Sequence, residues 1–267
     1  PLFTSSTTQM SDSWGYTTEN GPATWEKLPG IKVGKRQSPI DIVSANASFD
    51  KSLKSLEFTY PSFENANLQN NGRTLVFVPN EEGNTSEVSG GPVSHKYKLA
   101  QFHFHWGEND DVGSEHTVDG KPYCGELHLV HYNTELFASV GEALTQNNGL
   151  TVLGIFLKVG DQENVALKNI TDKMSELQKA GASVPLKAFN PQSLFPKSSD
   201  YWSYPGSLTT PPLSESVTWV VFKEPMIVSS AQIAAFRKLQ TSNGSCLCEN
   251  FRPTCPLHGR LVKASFE

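Results

Sequence analysis

The chain predicts a single α+β domain in which strands dominate. Apolar runs, alternating or continuous, recur at 75–78, 98–106, 125–132, 150–159 and 216–222, bounded by Gly, Pro and Asn turns. Helical spacing of apolar residues is confined to 165–179 and 230–239. The 267 residues carry no linker-like tract, internal repeat or charge block between Trp14 and Phe266, so one domain is preferred to two.

In chain order, Pro1 to Ser13 is rich in Ser and Thr, lacks an apolar core and does not begin with Met. It reads as a flexible, processed end, residues 1–13, ahead of a domain over 14–267. The run 75–78 is a short β-branched and aromatic strand. In 98–106, Gln101-Phe102-His103-Phe104-His105-Trp106 places a polar residue at every second position, so two imidazoles point from one face of a strand. In 125–132, Glu126-Leu127-His128-Leu129-Val130-His131 repeats the alternation with Glu126 and His128 on one face and His131 on the other. The run 150–159 is almost wholly apolar, 165–179 is a helix, 216–222 a strand, and 230–239 a second helix with Ser229 or Ser230 as its cap.

Three histidines from neighbouring strands would then converge. A lone strand histidine is more often a hydrogen-bonded core residue, but a third imidazole beside a carboxylate shifts the reading to a metal site. Three neutral imidazoles with an open fourth position suit a catalytic zinc, whereas structural zinc is usually closed by cysteines. Gln101 and Glu126 precede His103 and His128 on their faces and supply acceptors for the ring N–H that does not face the metal. His116 and His131 lack this pattern and are read as core residues or as partners behind the ligands.

Gln101 to Trp106, Gly113-Ser114-Glu115-His116-Thr117, Glu126 to His131 and Tyr204-Pro205-Gly206-Ser207-Leu208-Thr209-Thr210-Pro211-Pro212 together resemble the α-class carbonic anhydrases. The resemblance runs almost end to end: Trp14-Gly15-Tyr16, Asn20-Gly21-Pro22, Gln37-Ser38-Pro39-Ile40-Asp41-Ile42 and Lys263-Ala264-Ser265-Phe266 also match. It implies a central twisted, mostly antiparallel sheet of about ten strands with short peripheral helices. It also implies reversible hydration of carbon dioxide to bicarbonate and a proton, by attack of zinc-bound hydroxide. The alternative is a silent carbonic-anhydrase-like binding or mineral-matrix domain, which would usually lack a zinc histidine.

Residue by residue, the resemblance assigns His103, His105 and His128 to zinc, with Gln101, Glu126 and the backbone of Asn250 accepting from their rings. Thr209 and Glu115 match the catalytic pair that orients the nucleophile; by pattern alone Thr209-Thr210 before two prolines is an ordinary turn. Val130, Val152, Leu208 and Trp219, with Thr210, match the substrate pocket. Tyr16 and Asn71, again with Thr210, match the residues that order water toward the cavity mouth. The expected partners are carbon dioxide and bicarbonate, with anions and sulfonamides as inhibitors. One position departs from the fastest members: Arg73 stands where they carry a proton-shuttling histidine, and neither His95 nor His258 obviously replaces it.

A net charge of -5 argues against a nucleic-acid footprint, and Lys32-Val33-Gly34-Lys35-Arg36 reads as a solvated loop. No apolar run approaches the roughly 18 residues that span a bilayer. Four sequons, at Asn46, Asn84, Asn169 and Asn243, compare with roughly three expected by chance and decide little by themselves. Four cysteines, an even number, point to disulfides and an extracellular setting, with a zinc cluster as the weaker alternative. Joining Cys246 to Cys248 would close a tiny ring, so Cys124 is expected to pair with one of them and Cys255 with the other. The disulfide common in extracellular animal members of the family lacks both its usual positions here. The expectation is a secreted, disulfide-bonded glycoprotein.

Overall fold

A computed structural model describes residues 14–53 and 55–267; the segment expected to be flexible, 1–13, lies outside them. The strands are β1 (Asp41–Ile42), β2 (Ser48–Phe49), β3 (Leu56–Thr59), β4 (Ala66–Asn70), β5 (Leu75–Pro79), β6 (Glu87–Gly90), β7 (Tyr97–Trp106), β8 (Thr117–Val118), β9 (Gly125–Asn133), β10 (Leu150–Val159), β11 (Ser183–Leu186), β12 (Tyr201–Gly206), β13 (Val217–Phe222), β14 (Met226–Val228) and β15 (Lys263–Ala264). The α-helices described are α1 (Val140–Ala143), α2 (Val165–Thr171) and α3 (Ser230–Phe236).

Among the described residues one 13-stranded sheet organises the molecule, on a path β11-β4-β5-β7-β9-β10-β13-β12-β15-β2, with β14 beside β10 and the β3–β6 pair attached through β7. The pairings are antiparallel except β10–β13, β10–β14 and β15–β2, and β1–β8 forms a separate parallel pair. The mostly antiparallel sheet expected from the resemblance is therefore present.

Both faces of the sheet are covered. One carries Phe77, Phe102, Phe104, Leu127, Leu129 and Ile155 together with Leu167 and Ile170 of α2 and Ile233 and Phe236 of α3. The other carries Ile40, Val130, Val152, Trp202, Tyr204 and Trp219. Burial on both sides explains why β9 is buried at every residue and β10 over all but its last two. Polar residues in these central strands must then find partners inside the protein, because an unpaired buried polar group is costly.

The expected helix over 165–179 is shorter than its pattern. It ends at Thr171, and Met174–Glu176 adds one 3₁₀ turn. Leu167, Ile170, Met174 and Leu177 do all face the core, as the periodicity implies. The carbonyls of Leu177 and Gln178, however, accept from the amide of Asn70, so the chain is drawn to the β4–β5 turn instead of winding on. At α3 the cap is Ser229, in a reciprocal capping box with Gln232.

The expected disulfide pairing is overturned. Cys246 is bonded to Cys248, with Cα atoms 5.2 Å apart, and Cys124 and Cys255 are free thiols. That Cα separation is ordinary for a bridge, so a three-residue ring closes without pulling the backbone together. Cys124 is committed elsewhere: its side chain is buried in the core and donates to the Leu157 carbonyl. The loop 32–36 is solvated only in part, since the Gly34 and Arg36 amides both donate to Glu215.

Candidate metal centre

The site is built on β7 and β9, which pair antiparallel with His103 directly opposite His128 and His105 opposite Glu126. A break in register between Leu99 and Gln101 makes Ala100 a bulge. Leu99 packs into one core, while Ala100 and Gln101 both line the cavity on the other face. The two ligand-type histidines that follow, His103 and His105, line the same cavity, and Phe102 and Phe104 point away into the core.

Nε2 of His103 lies 3.1 Å from Nε2 of His105, which lies 3.1 Å from Nδ1 of His128. Those separations are close to the roughly 3.3 Å edge of a tetrahedron around a metal bound at about 2.0–2.1 Å. The remaining ring nitrogens are each engaged: His103 Nδ1 with Gln101 Oε1 at 2.9 Å, His105 Nδ1 with the Asn250 carbonyl at 2.8 Å, and His128 Nε2 with Glu126 Oε1 at 2.8 Å. Each of those partners is an acceptor, which assigns the ring proton to that side and leaves three lone pairs converging. Three lone pairs facing one another are repulsive without a cation between them, and this donor set could hold a metal ion.

The electrostatics agree. Burial lowers His105 to about 3, with neighbouring His128 adding to the effect, and burial lowers His103 and His128 too, so all three are neutral imidazoles at pH 7. Burial by itself would raise Glu126, but His116 and His128 hold its carboxyl well below the usual range. Glu126 also accepts the backbone amides of Glu115 and His116 and the His116 ring at 2.7 Å. Gly154, opposite His128, permits this: a Cβ there would sit 3.1 Å from the Glu126 carboxylate.

Above the imidazoles opens a cavity of about 430 Å³. Thr209, Thr210, Val130, Val152, Leu208, Trp219, Tyr16, Asn71 and Arg73, all singled out in the sequence, line it. Glu115 sits behind the wall, 1 % exposed, with Oε1 accepting the Arg252 amide at 2.8 Å. Burial raises its carboxyl well above the usual range, opposed first by the neighbouring Thr209 side chain, and its Oε2 has no hydrogen-bond partner among the described residues. His95 and His258 are not part of the lining; His95 pairs with Glu135 at the surface.

Sequence reasoning missed several contributors. His116, read only as core or as a partner behind the ligands, joins Glu126 to the Tyr204 hydroxyl, which donates to Ser38. Trp14 stacks under Arg73, and Val76, Val140 and Leu144 extend the apolar wall. No local pattern marks these residues, because the contacts join segments far apart in sequence.

Residues 20–266 match the family model described as eukaryotic-type carbonic anhydrase. The chain belongs to that family. It is 46% identical over 257 residues to carbonic anhydrase 7 of Homo sapiens, covering 95% of this chain and 97% of the relative. It is 45% identical to mouse (Mus musculus) carbonic anhydrase 7 over 258 residues, covering 95% and 97%, and 45% identical to mouse carbonic anhydrase 1 over 260 residues, covering 96% and 99%. Members of the family are zinc enzymes, and the reaction of this carbonic anhydrase is the hydration of carbon dioxide. The family binds carbon dioxide, bicarbonate and sulfonamides.

The expectation of a secreted member is overturned. The relatives matched over nearly the whole chain, carbonic anhydrases 7 and 1, are cytosolic forms. The cross-links on which the expectation leaned, from Cys124 and Cys255 to the 246–248 segment, are not formed. The glycoprotein expectation falls with it, and Asn84 is in any case buried with its amide donating to the Leu99 carbonyl. Among the described residues no helix is long and apolar enough to cross a membrane.

Proposed function

We propose that His103, His105 and His128 hold the zinc and that Thr209, backed by Glu115, orients the attacking oxygen toward carbon dioxide on the apolar wall. The convergence of three imidazole lone pairs, each ring fixed by an acceptor on its far side, carries this reading. Zinc supplies a water acidified to near neutrality, an effect of which carbonic anhydrase is itself the type case.

The chain's own residues do the rest. A hydroxyl has one proton and two lone pairs. Thr209 gives its proton to Glu115 and so meets the attacking oxygen only as an acceptor, which leaves that oxygen's lone pair free for the substrate. Glu115 must be ionised for this. The Arg252 amide and the Thr209 hydroxyl favour its charged form, and a divalent cation held by the imidazoles acts in the same direction. Val130, Val152, Leu208 and Trp219 give an apolar molecule a dry surface, matching a substrate with no hydrogen-bond donors. Tyr16, Asn71 and Thr210, which line the same cavity, order water toward the mouth. Asn71 spends its carbonyl oxygen on the Arg73 and Thr74 amides, which leaves its NH₂ for the cavity.

A silent binding domain is not favoured, since the three-imidazole donor set and the apolar cavity wall above it support an active centre. Zinc analysis beside stopped-flow carbon dioxide hydration tests the proposal. About one zinc per chain, with hydration stopped by a sulfonamide, is the expected result; turnover undiminished at millimolar sulfonamide overturns it.

A further inference from the structure

The bridge between Cys246 and Cys248 belongs to no part of the reaction described above. Cys246 is exposed and Cys248 half-buried. A three-residue ring removes little freedom from the unfolded chain, so this bridge is a poor stabilising staple. It does encircle a residue with a task. Leu247 is buried; its N–H bonds the Leu239 carbonyl at 2.8 Å, and its carbonyl accepts the Trp106 indole N–H at 2.8 Å. Two residues after Cys248, Asn250 holds the His105 ring through its carbonyl and exchanges backbone and side-chain hydrogen bonds with Trp106. The bridge thus closes the segment that presents both partners of the ligand-bearing end of β7.

We propose that Cys246–Cys248 is a thiol-exchange modification site, reversibly opened by low-molecular-weight thiols, whose state sets how firmly Leu247 and Asn250 hold Trp106 and His105. A thiolate attacks the exposed Sγ of Cys246, the S–S bond breaks, and Cys248 leaves as a thiolate that takes a proton from solvent. A second thiolate attacks the outer sulfur of the mixed disulfide, releasing Cys246, which is protonated in turn. Two small thiols are oxidised to one disulfide, and the protein gains two electrons and two protons; a small-molecule disulfide reverses both steps. The other cysteines do not compete. Cys124 is buried, which pushes its thiol up to about 12, and burial raises Cys255 as well.

The readout at His105 rests on the metal-centre reading above, whereas the thiol count does not. The zinc-loaded protein is equilibrated with oxidised or with reduced glutathione, the reagent is removed, and each sample is alkylated in denaturant and mapped by mass spectrometry. Labels at Cys124 and Cys255 alone are expected after oxidation, and at all four cysteines after reduction. Zinc loss to a chelator is expected to be about 3- to 10-fold faster in the reduced protein, and backbone amide exchange faster at Leu247 and Asn250. The Cys246→Ser/Cys248→Ser double variant should match the reduced protein and ignore glutathione. Four labels after oxidation, or equal zinc loss and equal exchange in the two states, overturns the proposal. Zinc content, about one per chain in both states, tests the metal reading separately.

Discussion

Arg73 lies over the ring of Trp14, its guanidinium carbon 4.4 Å from the ring centroid, and its Nε–H reaches the Trp14 carbonyl at 3.0 Å. The side chain at the usual shuttle position is thus a permanent cation tied to the cavity rim, and it cannot relay a proton by accepting one. Among the described residues no histidine outside the three imidazoles of the centre lines the cavity. Turnover at saturating substrate should therefore rise with the concentration of an imidazole-type buffer, while kcat/KM barely changes. Arg73→His should raise kcat in weak buffer. Full speed of the unmodified enzyme in dilute buffer, measured by stopped flow, would rule out proton export as the slow step.

Loss of a ligand and loss of its supporting acceptor should differ in kind. His103→Ala, His105→Ala and His128→Ala should each remove most zinc and activity, because two imidazoles make a poor site. Glu126→Gln keeps all three imidazoles but removes the charge that His128 and His116 share, and should weaken zinc affinity roughly 10- to 100-fold. Competition against a chelator ranks the four variants. Full zinc and full turnover in any histidine variant would reassign that residue.

Thr209→Ala should retain zinc and lose roughly ten- to a thousandfold in kcat, the scale for one preorganised hydrogen-bonding group. Thr209→Ser, which keeps the hydroxyl beside Glu115, should recover most of it. Equal turnover in the alanine and native enzymes would make Thr209 the plain turn residue that its sequence context suggests.

His131 gives an acid-side prediction. Its ring bonds the Tyr60 hydroxyl within the core, and burial pushes it down to about 3, against about 6.5 in an unfolded chain. Below pH 6.5 the unfolded chain takes up a proton that the folded one refuses. The stability associated with the neutral ring is therefore complete above pH 6.5 and is lost as pH falls toward 3, by up to about 1.4 kcal/mol per pH unit. His131→Gln keeps a polar partner for Tyr60 without titrating. Between pH 6.5 and pH 5 the native protein should lose about 1.6 kcal/mol more than this variant in urea unfolding; parallel pH profiles would contradict the buried neutral ring.

Local alternation determined more of this protein than its long-range contacts would suggest. The strands 98–106 and 125–132 were legible within a residue from their period-two alternation, and 150–159 from its unbroken apolar run, the pattern of a strand buried on both faces. The alternation also placed His103, His105 and His128, with the acceptors Gln101 and Glu126, on one face of neighbouring strands, and the resemblance supplied Asn250, Thr209 and Glu115. The short strands β2, β3, β6 and β14 are two to four residues long, too short for a pattern of their own to mark them, and their neighbours in the sheet define them.

The tertiary structure alone decided the rest. The bulge at Ala100 turns Gln101 and the histidines after it toward the cavity, although a register shift leaves no mark in a one-dimensional pattern. The 165–179 pattern breaks after Thr171, and the carbonyls of Leu177 and Gln178 at its end accept from Asn70, about a hundred residues away. Cysteine pairing followed the same rule. Counting allowed three connectivities, but which sulfurs meet depends on where the folded chain carries them: Cys124 goes into the core, and Cys246 and Cys248 stay together at the surface. Alternation is a local property of the backbone, while a pairing between distant side chains is settled only when the whole core packs.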